Sequence, residues 1–294
     1  MMIRTAINGF FMALADSVPG VSGGTIALIL GFYDNFIGSI NKVIYGSKDE
    51  KKEGIIYLIK LLCGWAVGMI LAVLVLTAFF EKNIYAVSSL FLGFILPSIF
   101  IIGKEEYPTI KDKWQHTPYV ILGIAIVALL TFFNGRVSGM ALDMSHFTLG
   151  SAAYLFIAGA VAITAMFLPG ISGSTVLLIF GAYLPVLGGV KEILHLNLKV
   201  FPMLFVFGLG IIFGASVSVR GIQKCLEKFR AQTVMTIIGM LIGSLYAIVM
   251  GPTTVGTGNE MLNMSNFSIV FFIAGIVLIA LLEILKHRLN KKEA

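Results

Sequence analysis

Charge is what this sequence has least of. Lys, Arg, Asp and Glu make up 12% of its 294 residues, while 58% are hydrophobic. A soluble globular domain carries about twice that charge, so an ordinary soluble fold is excluded and a polytopic membrane protein is left. Cysteine is nearly absent: Cys63 lies in an apolar run and Cys225 in a basic loop, which rules out a disulfide framework. The four histidines, His116, His146, His195 and His287, fall in loops or at the ends of runs. They show no metal-ligand spacing, so no metal site is expected. Basic residues are few and sit in short loops between apolar runs, so the net charge of +6 sets topology and does not point to nucleic acid.

What is there is a sentence said twice. Residues 15–33 read ADSVPGVSGGTIALILGFY and residues 165–183 read AMFLPGISGSTVLLIFGAY, at a constant offset of 150. Pro19/Pro169, Gly20/Gly170, Ser22/Ser172, Gly23/Gly173 and Thr25/Thr175 recur in place. Each copy is a Pro-Gly break inside an apolar run, where a helix cannot continue. The Ser-Gly-Gly-Thr or Ser-Gly-Ser-Thr that follows has the chemistry of a helix start, with hydroxyl caps and small residues over bare N–H groups. The first copy lies in the N-terminal apolar stretch, so that stretch reads as part of the mature fold and not as a cleaved leader.

The repeat extends beyond the motif. Gly64, Gly68, Glu81-Lys82 and Gly93 match Gly210, Gly214, Glu227-Lys228 and Gly239 at an offset of 146, and GIAIVALL (123–130) matches GIVLIALL (275–282) at 152. The chain therefore reads as two halves, 1–145 and 146–294. The first holds a hairpin at 2–44, with limbs 2–18 and 25–44, and spans near 55–80, 84–102 and 117–133. The second holds a hairpin at 149–190, with limbs 149–168 and 174–190, and spans near 200–219, 233–250 and 268–286. Each span is long enough for roughly 30 Å of hydrocarbon.

If each broken segment returns to its own side, 17 of the 21 basic residues fall on one face, together with both termini. That face is then cytoplasmic. Reading each broken segment as one continuous span instead sends the basic 220–232 loop outward. Charge does not separate a re-entrant hairpin from two full spans. The turns PGVSGG and PGISGS carry no charge, however, and suit membrane depth under a cover of protein or a water-filled cavity. The expected fold class is thus an all-α polytopic membrane protein of two repeats, each a re-entrant helical hairpin plus three spans. Three crossings per half make the repeats inverted, a transporter architecture with the hairpin tips meeting near the midplane.

Two helix starts at such tips favour an anion. Gly23, Gly24 and Gly173 allow close approach, and Ser22, Thr25, Ser172, Ser174 and Thr175 add hydroxyls. The alternative is that these hydroxyls cap their own helices. Asp16 has no counterpart, because position 166 is Met. An intramembrane carboxylate is functional by default; it could move a proton, bind a cation or cap the helix that follows. Arg136 and Arg220, at the two mouths, are candidates to draw an anionic headgroup or to act as snorkelling anchors. No cofactor is expected beyond a coupling ion, H+ or Na+.

At ADSVPGVSGGT and LPGISGS the sequence resembles a bacterial family of polyprenyl-phosphate transporters, formerly catalogued only as a domain of unknown function. The resemblance covers essentially the whole chain, and Asp16, Pro19 to Thr25 and Pro169 to Thr175 match the family pattern. It implies a plasma-membrane flippase that returns undecaprenyl phosphate for cell-envelope synthesis, with the lipid as substrate. The residues themselves give only a transporter with a midplane anion site, so a carrier or channel for a small soluble anion stays open. An enzyme is not expected. Gly20-Val-Ser22-Gly23 and its twin fit the G-x-S-G of rhomboid-like proteases, but no histidine lies mid-span to activate a serine. Nor is there a clustered Arg/His/Asp set for a lipid phosphatase.

Overall fold

The computed structural model of the chain describes residues 2–16, 22–71, 83–133, 148–194, 196–254 and 259–293. The helices are α1 (Met2–Asp16), α2 (Gly23–Ile29), α3 (Tyr33–Tyr45), α4 (Lys48–Leu71), α5 (Ile84–Glu105), α6 (Tyr107–Ile110), α7 (Thr117–Phe133), α8 (Leu149–Phe167), α9 (Gly173–Ile179), α10 (Tyr183–Leu194), α11 (Phe201–Lys228), α12 (Arg230–Met250) and α13 (Ile269–Glu293). Among the described residues, six helical segments are long and apolar enough to cross a membrane. They include α8, expected as a hairpin limb, as well as α4, α5, α7, α11 and α12. The chain is a multi-pass helical membrane protein.

Several helix starts follow from local chemistry. Glu50 accepts hydrogen bonds from the Ser47 N–H and hydroxyl at the start of α4, each at 2.8 Å, and Thr148 and Ser151 form a capping box on α8, which satisfies N–H groups that the helix leaves bare. The larger architecture is set by glycine. A Cβ on Gly64 would lie 1.7 Å from the Ala6 carbonyl oxygen, and one on Gly210 2.2 Å from that of Phe156. So α4 lies against α1, and α11 against α8, with backbones in contact. Gly93 meets Phe272 and Gly239 meets Val120 in the same way, which packs α5 on α13 and α7 on α12. These glycines are the ones that recur between the halves, and such close approach is how membrane helices associate. The later spans of each half therefore pack on those of the other.

The second limb of each hairpin differs from expectation. Residues 25–44 were expected as one helix; α2 ends at Ile29 and α3 leaves it at 120°. The Gly31 N–H donates to Leu28 O at 3.0 Å and the Phe32 N–H to Ala27 O at 2.9 Å, with Gly31 at φ 71. Gly181 and Ala182 repeat the pattern on Leu178 and Leu177, both at 2.9 Å, with Gly181 at φ 63. This is the Schellman ending, which requires a left-handed residue that only glycine supplies without strain. It separates α9 from α10 as it separates α2 from α3.

Candidate functional site

The two breaks come together. Thr25 Oγ1 accepts the Gly170 N–H at 2.8 Å, across 145 residues of sequence. Ser22 Oγ accepts the Thr25 N–H at 3.3 Å as the N-cap of α2 and donates to Leu168 O at 3.4 Å. The Tyr33 hydroxyl donates to Phe167 O at 2.8 Å, and a Cβ on Gly24 would sit 3.1 Å from that same oxygen. Ser22 and Thr25 are each 1% exposed. The Ser22 hydroxyl caps α2, as weighed for it from sequence, and both hydroxyls bind the second break to the first.

Asp16 ends α1 and faces the start of α2. Its Oδ1 accepts the Gly23 N–H at 2.6 Å, and its Oδ2 accepts Trp65 Nε1–H from α4 at 3.0 Å. A Cβ at Gly23 would lie 2.8 Å from Oδ2, so glycine is needed for this approach. Two N–H donors, one on each oxygen, fix the position of the carboxyl group. Of the three roles open to Asp16, capping is the one this geometry displays. Trp65 was not singled out in the sequence. Its signal is the repeat itself: at the offset of 146 the second half has Ile211, just as it has Met166 where the first has Asp16.

The second break is built differently. Ser172 precedes α9 and makes no side-chain cap bond; its hydroxyl pairs with that of Ser174 at 2.7 Å. Gly170 takes φ 83, and a Cβ there would come 2.7 Å from Met240 O. A cavity of about 260 Å³ lies alongside, lined by the polar Asp16, Ser172 and Ser174, by Gly173, and by Trp65, Met69, Met166, Phe207 and Ile211. Ser22, Gly23, Gly24 and Thr25 do not line it. Thr175 is half-buried on α9.

Arg220 stands apart from this cavity. The Arg220 guanidinium lies 4.7 Å from the centroid of the Tyr45 ring, and Tyr45 donates to Ser216 O at 2.8 Å, so Arg220 helps dock α3 on α11. Pro19, Gly20, Arg136, His146, His195 and the pair Glu81-Lys82 lie outside the described residues.

A multi-pass helical protein whose two broken segments meet beside a cavity with one carboxylate and a set of hydroxyls is a membrane transporter in class. Residues 12–266 match the model of a family described as undecaprenyl phosphate translocase-like. The chain is 34% identical over 279 residues to the polyprenyl-phosphate transporter of Staphylococcus aureus, covering 92% of each. It is 29% identical over 253 residues to the polyprenyl-phosphate transporter of Vibrio cholerae, covering 83% of this chain and 76% of that one. No solved structure matches. The chain belongs to the undecaprenyl phosphate translocase-like family, whose members are transporters and not enzymes.

Proposed function

We propose that this protein returns a polyprenyl phosphate, undecaprenyl phosphate in the bacterial plasma membrane, from the outer to the cytoplasmic leaflet for envelope synthesis. The observation that carries this reading is the cavity, whose lining combines the polar Asp16, Ser172 and Ser174 with the apolar Met69, Phe207 and Ile211. A lipid phosphate needs both: hydrogen bonds for its headgroup, and a hydrocarbon wall for the first isoprene units. The apolar wall comes from α4 and α11, whose adjacent residues Val67, Ile70, Ile212 and Phe213 are exposed and suited to lipid. A tail would leave between these helices. A free soluble anion has no use for such a wall.

In this reading the halves are inverted repeats, the breaks are re-entrant tips near the midplane, and both termini face the cytoplasm with most of the basic residues. Ser172, Gly173, Ser174 and Thr175 hold the headgroup from one side. Ser22, Gly23, Gly24 and Thr25 form the wall that fixes Asp16 opposite them. An ionised Asp16 and a phosphate repel each other in so small a space. Headgroup entry therefore calls for a proton, or a sodium ion, on that carboxylate, which makes Asp16 the coupling residue.

The test is the amount of undecaprenyl phosphate exposed on the outer face of intact cells whose other such transporters have been removed. Loss of the protein, or Ser172→Ala with Ser174→Ala, should raise it. Exposure that does not change without the protein would leave the small-anion carrier as the better reading.

A further inference from the structure

Away from the hairpin cavity, Arg230 opens α12 and is clasped by carboxylates from two other parts of the chain. Its Nε donates to Glu106 Oε2 at 3.2 Å and its Nη2 donates to Oε1, a bidentate pair. Its Nη1 lies 3.6 Å from Asp34 Oδ2. Glu106 follows α5 on the packed scaffold, and Asp34 is the second residue of α3, just past the 120° bend. The three residues line a second cavity of about 260 Å³ that reaches Leu28, Gly31 and Tyr33 at the α2–α3 turn. Between this cavity and the hairpin breaks stands an aromatic layer. Tyr33 is bonded to Phe167 O, and the Phe36 ring meets the Phe167 ring edge-on, with centroids 5.9 Å apart.

We propose that Arg230, Glu106 and Asp34 form the gate on the basic face of the transport path, closed in this conformation, with Tyr33, Phe36 and Phe167 as its plug. This rests on the transport reading above and adds to it the residues that seal one end. The clamp joins a bent arm to the scaffold where the arm has just passed the 120° bend. It is also made in reach of water: the side chains of Arg230 and Asp34 are 43% and 63% exposed. Ion pairs so placed contribute little each and break readily, as a gate must. A phosphate reaching this mouth can present two of its oxygens to arginine, as a carboxylate does, so the headgroup can take Arg230 from Asp34 and release the arm.

The experiment uses the full chain with Cys63→Ser and Cys225→Ser, and Leu28→Cys as reporter, in membrane vesicles. A membrane-impermeant maleimide is applied from each side in turn. Arg230→Gln should raise the labelling rate of the reporter from one side only, by about fivefold. Asp34→Asn, which keeps the Arg230–Glu106 pair and so guards against misfolding, should raise it from that same side by a smaller factor. Labelling unchanged in both variants, or raised from both sides, overturns the gate. Labelling does not depend on which substrate is carried. Translocation of polyprenyl phosphate by the parent protein, read in the same vesicles, reports separately on the transport reading.

Discussion

Thr25 and Asp16 are both acceptors at the first break: Thr25 ties it to the second, and Asp16 joins the start of α2 to Trp65 of α4. Thr25→Val would leave the buried Gly170 N–H without a partner, at a cost of about 1–3 kcal/mol. Thr25→Ser keeps the oxygen and should recover most of that, as read from thermal midpoints in detergent. Trp65→Phe keeps the ring but removes a hydrogen bond to a carboxylate, worth about 1.5–3 kcal/mol. If Asp16 couples ion to lipid, polyprenyl-phosphate binding should strengthen as pH falls. Asp16→Asn, permanently uncharged, should bind with the pH dependence of the phosphate alone; a profile identical to that of the parent protein would contradict the coupling role. Asp16 was legible in the sequence because a carboxylate inside an apolar run stands out. Trp65 was not, because an indole in such a run looks like packing until the carboxylate it holds is seen across 49 residues.

At the scale of elements, the glycines decide which helices touch. Gly64→Ala and Gly210→Ala place a methyl on a neighbouring backbone and should each destabilise the protein by about 1–3 kcal/mol. Gly103→Ala and Gly221→Ala face open space inside helices and should be neutral, or stabilising by up to about 1 kcal/mol. Equal losses at all four would show that the close contacts do not matter. Five of the six expected spans overlap helices long and apolar enough to cross a membrane, because lipid demands long apolar runs; of the sixth, Ile269–Leu281 is a shorter apolar helix, and α8 qualifies where a hairpin limb was expected. The recurring glycines were readable as letters. The bend between α2 and α3 was not. LILGFY remains apolar through the turn, and Gly31 reveals its role only through the hydrogen bonds that end α2. The recurrence of Gly and Tyr in both copies was the available trace.

Over the whole molecule, the duplication and the distribution of charge suggested an organisation, while the unequal use of the two breaks came only from three dimensions. Sequence symmetry suggested two like tips, yet the hydroxyls of the first are turned into structure and those of the second line the cavity. The topology predicts that native Cys225, exposed in the last turns of α11 and not in the loop expected from sequence, reacts with an impermeant maleimide from the cytoplasmic side alone in a Cys63→Ser chain. Reaction from outside would invert the assigned faces. The central claim, that a lipid phosphate crosses with its headgroup in the cavity of Asp16, Ser172 and Ser174, is tested most directly in proteoliposomes of the purified protein, with a polyprenyl phosphate in both leaflets and its outward-facing share measured over time. The account predicts protein-dependent translocation of the lipid phosphate, abolished by Ser172→Ala with Ser174→Ala, and no uptake of inorganic phosphate. Uptake of inorganic phosphate with no movement of the lipid would contradict it.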